Sequence, residues 1–346
     1  MRHPILSEKF HSLLHVPNVP GDVGIELEIE GENLPRSVTG WSRHIENSLR
    51  GKDGRVIAGG EDLPDTPQEY VTTGPILLSA VPNVLNSLCS KLVAPGTTVH
   101  LTNRASTHIH LNFGAETVQT LFNFILIFTI AEPTLLRLCG PARNGNLFCL
   151  PSYETGDLPV FITKLAQSAT AHSLPTDGKI TTVYREYVRA TWPQRGKYAA
   201  LNLDPLKTLG SVECRCFPNS IDVEQITGWA ELLVKMRSFA RELADDDPRQ
   251  LIDLAYSDPM TFLSRVFPLS GIFSSCAPNH PAELVALGTE HAYEILCKMF
   301  FLLEYADKSA KRGKAKLLLD LDLANMIPDF PPDPIVDETI DYGEDD

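Results

Sequence analysis

The chain has 346 residues, 43% of them hydrophobic, an ordinary balance for a folded globular protein with room for one large domain or two moderate ones. Its formal net charge of -14 disfavours nonspecific attraction to nucleic-acid phosphates and to anionic membrane surfaces. Seven cysteines, odd in number and without a C-x-x-C pair, argue against a disulfide framework or a structural zinc site and fit a reducing compartment.

Met1 to Leu14 contains no continuous apolar run of the secretory-signal kind. After a Pro- and Gly-containing loop, Pro17 to Gly21, the run Gly24-Ile-Glu-Leu-Glu-Ile-Glu30 alternates strictly. As a strand it shows Glu26, Glu28 and Glu30 on one face and Ile25, Leu27 and Ile29 on the other. A polar stretch comes next, with Trp41 and Glu46-Asn-Ser-Leu-Arg-Gly51, and then a turn region leading to Gln68-Glu-Tyr-Val-Thr72, which delivers Glu69. Val84 to Val93 has helical spacing. Ser106-Thr-His-Ile-His-Leu-Asn112 reads as a strand with His108, His110 and Asn112 on one side. Thr117 to Leu138 reads as a helix in which Pro133 predicts a kink or break after Glu132. Its most apolar run, Leu121 to Ala131, falls short of the about 20 residues a bilayer span needs, so the expectation is a soluble, cytoplasmic protein.

A loop carrying Arg143 succeeds this helix, and Tyr153 to Gln194 has no clear pattern. Lys197-Tyr-Ala-Ala-Leu-Asn202 and Ser211-Val-Glu-Cys-Arg-Cys-Phe217 read as a strand pair. Glu213 and Arg215 then share one face, with Cys214 and Cys216 turned to the core. Val223 to Leu243 and most of the chain beyond Asp245 are helical in pattern, with apolar stripes in Leu251 to Ala255 and Tyr293 to Leu303. The Pro-rich segment Pro328 to Pro334 and an acidic end close the chain.

Strands at both ends of the first 220 residues, without a regular βαβ beat, predict an α+β fold with a mainly antiparallel sheet, helices on one face and a helical C-terminal part. The expected division is a catalytic domain over residues 1–244, a helical region over 245–328 packed on it, and a disordered tail over 329–346.

No G-x-x-x-x-G-K-[ST] loop, no convincing G-x-G-x-x-G and no G-x-S-x-G elbow is present. The distinctive feature is four short alternating segments that present acid, imidazole or guanidinium side chains on one strand face, two residues apart in three of them and as Glu69 alone in the fourth. Each alone reads more readily as a surface alternation than as a site. Together, carboxylates gathered on one sheet face repel one another unless cations compensate, and the economical account is a catalytic face that holds divalent metal ions. His108 and His110 with a glutamate could instead hold zinc in a hydrolase, and a binding or assembly module that keeps the fold is a third reading.

The segments G-I-E-L-E (Gly24 to Glu28), E-N-S-L-R-G, E-Y-V, S-T-H-I-H-L-N, G-P-A-R-N-G-N-L-F-C (Gly140 to Cys149), K-Y-A-A-L-N and S-V-E-C-R, in this order over about residues 22 to 240, resemble the amidoligase family of the carboxylate-amine ligase superfamily, related to glutamine synthetase and glutamate-cysteine ligase. Glu46-Asn47 stands where that family usually has Asp-Gly, and Cys214 replaces a commoner aromatic. The resemblance implies a sheet of glutamine-synthetase-like catalytic type and a ligase that joins a carboxylate and an amine through an acyl phosphate, at the expense of ATP. It implies Mg²⁺ or Mn²⁺ held by Glu26, Glu28, Glu69 and Glu213, with His110 as a nitrogen ligand. Arg215 would meet the transferring phosphoryl group, Arg143 and Lys197 would contact phosphate or substrate, and His108 would contact the carboxylate substrate. The acid and amine, small molecules or peptides, are the expected partners.

Overall fold

The computed structural model describes residues 20–45, 68–116, 118–141, 143, 146, 149–155, 158, 198–207, 209–243, 248–267 and 280–311. The segment around Glu46, most of Tyr153 to Gln194, Lys197 and the acidic end lie outside the described residues. The chain divides into two units, Met1–Phe301 and Leu302–Asp346, and the sheet with its ionic face belongs to the first.

Among the described residues, seven strands form one open sheet. They are β1 (Val23–Glu32), β2 (Trp41–Ile45), β3 (Gln68–Thr72), β4 (Thr98–His100), β5 (Thr107–Asn112), β6 (Leu201–Asn202) and β7 (Ser211–Cys214). They run in the order β2-β3-β1-β5-β7-β6, with β4 also pairing β1, and every named pair is antiparallel. The helices are α1 (Val81–Leu92), α2 (Val118–Leu138), α3 (Val223–Glu242), α4 (Pro248–Ser257), α5 (Pro259–Val266) and α6 (Pro281–Lys311). The molecule is thus a mixed helix and antiparallel-sheet fold, as the alternating runs and helical stripes imply. The strands β2 and β4 go beyond the sequence reading: β2 lies in the polar stretch around Trp41, and β4 has only three residues.

Alternation in β1 becomes burial. Val23, Ile25 and Leu27 are fully enclosed on one side, together with Ile109 and Leu111 of β5 and Val212 and Cys214 of β7. The helical layer shares this core: α2 packs along α3, and α3 also meets α1 and β5. Phe113 meets Phe124 edge-on with ring centroids 5.1 Å apart, and Phe217 stacks on Trp229 at 5.2 Å. Gly31 is needed for the pairing of β1 with β4, because a Cβ there would lie 2.0 Å from the Thr98 carbonyl oxygen.

Helix α2 runs through Pro133 without a break. Proline forfeits the bond its own N–H would make to the Thr129 carbonyl and crowds that carbonyl with its ring, and burial of the helix outweighs the cost. By length and composition Gln119–Leu138 could cross a membrane, but 83% of it is buried inside the protein, the pattern of a core helix. Its one polar interruption has a partner: Asn123 donates Nδ2 to the carbonyls of Ala240 and Leu243, at 3.3 and 2.9 Å, satisfying the C-terminal end of α3. At its other end α3 is capped by Asp222, which accepts from the N–H groups of Glu224 and Gln225. Arg237, buried in α3, donates to Asp22 Oδ1 at 2.7 Å and to the Asn112 carbonyl at 2.5 Å, clamping the helix to the ends of β1 and β5.

Candidate acid and imidazole site on the open sheet face

The register places the ionic residues of the central strands on the face opposite the core. Glu26 of β1 stands across from His108 of β5, His110 of β5 across from Glu213 of β7, and Glu213 across from Asn202 of β6. On the other side of β1, Glu28 faces Glu69 of β3, and Glu69 in turn faces His44 of β2. Glu30 faces His100. Antiparallel pairing puts residues of matched parity side by side, so an i, i+2 pattern in each strand becomes a two-dimensional array. The array is graded in exposure: Glu28, His108 and Glu213 are buried, Glu26, Glu69 and His110 are half-buried, and His44 and His100 are exposed.

His108 is the hub. It is fully enclosed, with Nδ1 2.7 Å from Glu26 Oε1 and 3.1 Å from Glu213 Oε1. Its Nε2 lies 2.6 Å from Ser106 Oγ. His110 Nε2 approaches the other Glu26 oxygen at 3.4 Å, so Glu26 offers one oxygen to each imidazole. Glu213 accepts from Asn202 Nδ2 at 2.6 Å and from Arg215 Nη1. Two sets of side chains, Glu26 with His110 and Glu213, and Glu26 with Glu28 and His108, bring ligand atoms within 4.8 Å of one another.

The charges explain one another. Burial and the Arg215 cation oppose protonation of His108, but Glu28, Glu26 and Glu213 prevail and lift its pKa to about 10. Burial likewise pushes Glu213 up, and Arg215 with His108 pulls it down to about 2. Glu26 is held well below the carboxylate range by His108 and His110 against its burial. Burial works against the charge of Arg215, and Glu213, Glu28 and Glu26 more than restore it. In this arrangement His108 and Arg215 are the counter-cations of the carboxylates.

With both imidazole nitrogens protonated, Nε2–H donates to Ser106 Oγ, and the Ser106 hydroxyl donates on to Glu28 Oε2 at 2.7 Å. The Ser106, His108 and Glu26 side chains thus line up as in a hydrolytic triad, but the serine proton is committed to Glu28 and the hydroxyl is buried. The alignment is a relay between two glutamates and offers no free nucleophile.

Of the residues singled out by sequence, Glu26, Glu28, His108, His110, Glu213 and Arg215 converge on this face, and Glu69 joins them through β3. Arg143 is also buried: its Nη2 donates to the Arg215 carbonyl at 2.6 Å, and its guanidinium lies close enough to the Cys149 thiol to oppose the rise that burial imposes on that group's pKa. Arg143 Nε and Nη1 and Arg215 Nε have no hydrogen-bond partner among the described residues. Lys197 lies outside them. Glu132, buried in α2, accepts from the Ser152 N–H at 2.8 Å. Ser106 and Asn202 were not singled out. Ser106 shares parity with His108 and His110, and the alternation could have found it, whereas Asn202 meets Glu213 only through the pairing of β6 with β7.

An open antiparallel sheet that gathers carboxylates, imidazoles and a buried guanidinium on one face defines an enzyme-like site with anionic donors for a hard cation and a cationic donor for an anionic group. Residues 66–236 match the family model described as "Putative amidoligase enzyme", a match that supports an amidoligase family and suggests a ligase-type function. A search of curated proteins finds no match. The matched residues include Glu69, His108, His110, Arg143, Lys197, Glu213 and Arg215. Glu26 and Glu28 precede them in the chain and reach the same face because β1 lies between β3 and β5.

Proposed function

We propose that the protein is an ATP- and Mg²⁺-dependent ligase that forms an amide or peptide bond between a carboxylate and an amine through an acyl phosphate, on a sheet of glutamine-synthetase-like type. The observation that carries this reading is the convergence of Glu26, Glu28 and Glu213 with His110 and Arg215 on one face, in a chain that matches the amidoligase family model. The donor set fits magnesium or manganese: with His108 held as a cation, Glu26 and Glu213 pair with the one imidazole of His110, a harder set than the histidine- or cysteine-rich shells typical of zinc, and this weighs against the zinc hydrolase reading.

Glu26, Glu28, Glu213 and His110, with Glu69 from β3, would hold the cation. When bound, it would neutralise phosphate charge at the reacting centre. The chain's own residues do the rest. Arg215, its charge secured by Glu213, Glu28 and Glu26, offers a rigid guanidinium to the phosphoryl group in transfer. Arg143 holds the Arg215 backbone in place through its carbonyl. His108, enclosed among carboxylates, keeps their mutual repulsion in check until a cation arrives.

The test is release of ADP from ATP with pools of acids and amines, in Mg²⁺ and in EDTA, followed by mass spectrometry for a product lighter by one water than the two substrates together. Magnesium-dependent ADP release that requires both pools is expected. A tightly held stoichiometric zinc with hydrolysis of amide substrates, and no nucleotide requirement, would overturn the reading.

A further inference from the structure

Ser106 precedes β5 and belongs to neither candidate ligand group, yet it touches both a proposed ligand, Glu28, and the buried imidazole of His108. It is buried, and its backbone N–H and its hydroxyl both donate to the same carboxylate oxygen, Glu28 Oε2, each at 2.7 Å. The same hydroxyl oxygen takes Nε2 of His108 at 2.6 Å. Three short contacts, two through the hydroxyl and one through the N–H, therefore hang on one small residue whose backbone is fixed by its bridge to Pro218 and by its carbonyl, which accepts from the Glu28 N–H at 3.1 Å.

The consequence is directional. A carboxylate bonded twice through one oxygen cannot rotate, and only its other oxygen is left to face a cation. A histidine whose Nε2 is engaged presents Nδ1, and here Nδ1 is the atom that points at Glu26 and Glu213. Partners outside the ligand shell that hold ligating groups in this way commonly account for 10–100-fold of metal affinity.

We infer that Ser106 is a positioning residue for the cation site: it locks Glu28 to a single available oxygen and turns His108 so that Nδ1 faces the other carboxylates, setting affinity for a divalent cation without contacting it. This rests on the metal-binding part of the function proposed above.

The experiment uses the full chain, with Mn²⁺ alone as probe, titrated by electron paramagnetic resonance, and thermal melting in EDTA recorded in parallel. Ser106→Ala keeps the N–H bond to Glu28 and loses the hydroxyl. It is expected to weaken Mn²⁺ binding by roughly 10-fold or more, with a melting temperature in EDTA close to that of the wild type. Ser106→Thr restores a hydroxyl at the same atom and is expected to bind Mn²⁺ to within about threefold of the wild type, well inside the loss assigned to the missing hydroxyl. Equal Mn²⁺ affinity in wild type and Ser106→Ala overturns the positioning role while leaving the cation site intact. So does a fall in melting temperature unaccompanied by any loss of affinity, or equal losses in the alanine and threonine variants. A wild-type chain that binds no Mn²⁺ overturns the metal reading itself and this inference with it.

Discussion

Glu28 on β1 and Glu69 on β3 stand directly opposite each other in the antiparallel register, on the same face of the sheet. Like charges at facing positions destabilise a sheet, by up to roughly 1 kcal/mol where neighbouring pairs of opposite charge would contribute. Glu28 is anchored by Ser106, and Glu69 has His44 across the next strand.

A bound cation relieves that repulsion, so Mg²⁺ should raise the melting temperature of the wild type, by an amount that grows with concentration. At a hundred times the dissociation constant the expected gain is about 2.7 kcal/mol. Glu28→Gln keeps an acceptor for Ser106 but removes a charge, and should lose most of the Mg²⁺ response without a comparable loss of stability in EDTA. A melting curve indifferent to Mg²⁺ in the wild type would count against cation binding at this face.

The face was legible because a strand converts spacing into geometry without help from distant residues. Glu26 and Glu28, His108 and His110, and Glu213 with Arg215 needed only the period of two to be placed on common sides. The burial of Cys214 and Cys216 came from the same parity. What could not be read was which strands lie side by side. That β1 sits between β3 and β5, making Glu69 a neighbour of Glu28 and His108 a neighbour of Glu26, is a property of the folded sheet. Of the kink or break expected at Pro133, the break does not occur, and at Trp41 a polar-looking segment pairs as β2, its indole buried and donating to the Val84 carbonyl of α1. The buried setting of Arg143 escaped for a different reason: an arginine in a loop gives no local sign that its guanidinium will bond to backbone.

Gly288 lies within α6, where alanine would ordinarily be preferred by about 1 kcal/mol. Here a Cβ would fall 2.0 Å from the Ile130 carbonyl oxygen and 2.6 Å from its carbon, and these are backbone atoms of α2 that cannot swing aside. Overpacking of this kind typically costs about 1–3 kcal/mol, enough to reverse the gain. Gly288→Ala should therefore lower stability in chemical denaturation, although it raises helix propensity. An unchanged or higher midpoint would mean that the two helices are not in the close contact described.

Burial pushes the Asp22 carboxyl up, but the Leu78 amide and Arg237 hold it below its ordinary value. A depressed folded pKa gives stability that is fully present above the unfolded value of about 3.9 and is lost as pH falls through the folded one. Asp22→Asn removes that linkage. Compared with wild type, it should be less stable at pH 7, and the difference should shrink on going to pH 3, as followed by urea midpoints at the two values. A stability gap that stays constant between them would show that the ion pair with Arg237 contributes nothing through charge.

Arg215 is the residue on which the proposed chemistry depends most. Its backbone is held at both ends, the N–H donating to the Ala200 carbonyl at 2.8 Å and the carbonyl accepting from Arg143 at 2.6 Å. Its guanidinium donates to Glu213 through Nη1, while Nε has no partner among the described residues. Part of the fork is committed to a carboxylate and part is uncommitted, as a group that must meet an incoming anion requires. Arg215→Lys preserves the charge beside Glu213 but replaces the planar fork by a point charge. Nucleotide affinity should change little. Turnover should fall on the order of 100-fold, the loss typical when a donor that stabilises developing charge is removed. Comparing ADP release under saturating ATP with ATP binding by calorimetry separates the two effects. A variant that binds ATP weakly but turns over at the wild-type rate once saturated would move Arg215 from phosphoryl transfer to ground-state binding, and unchanged values for both would remove it from the reaction.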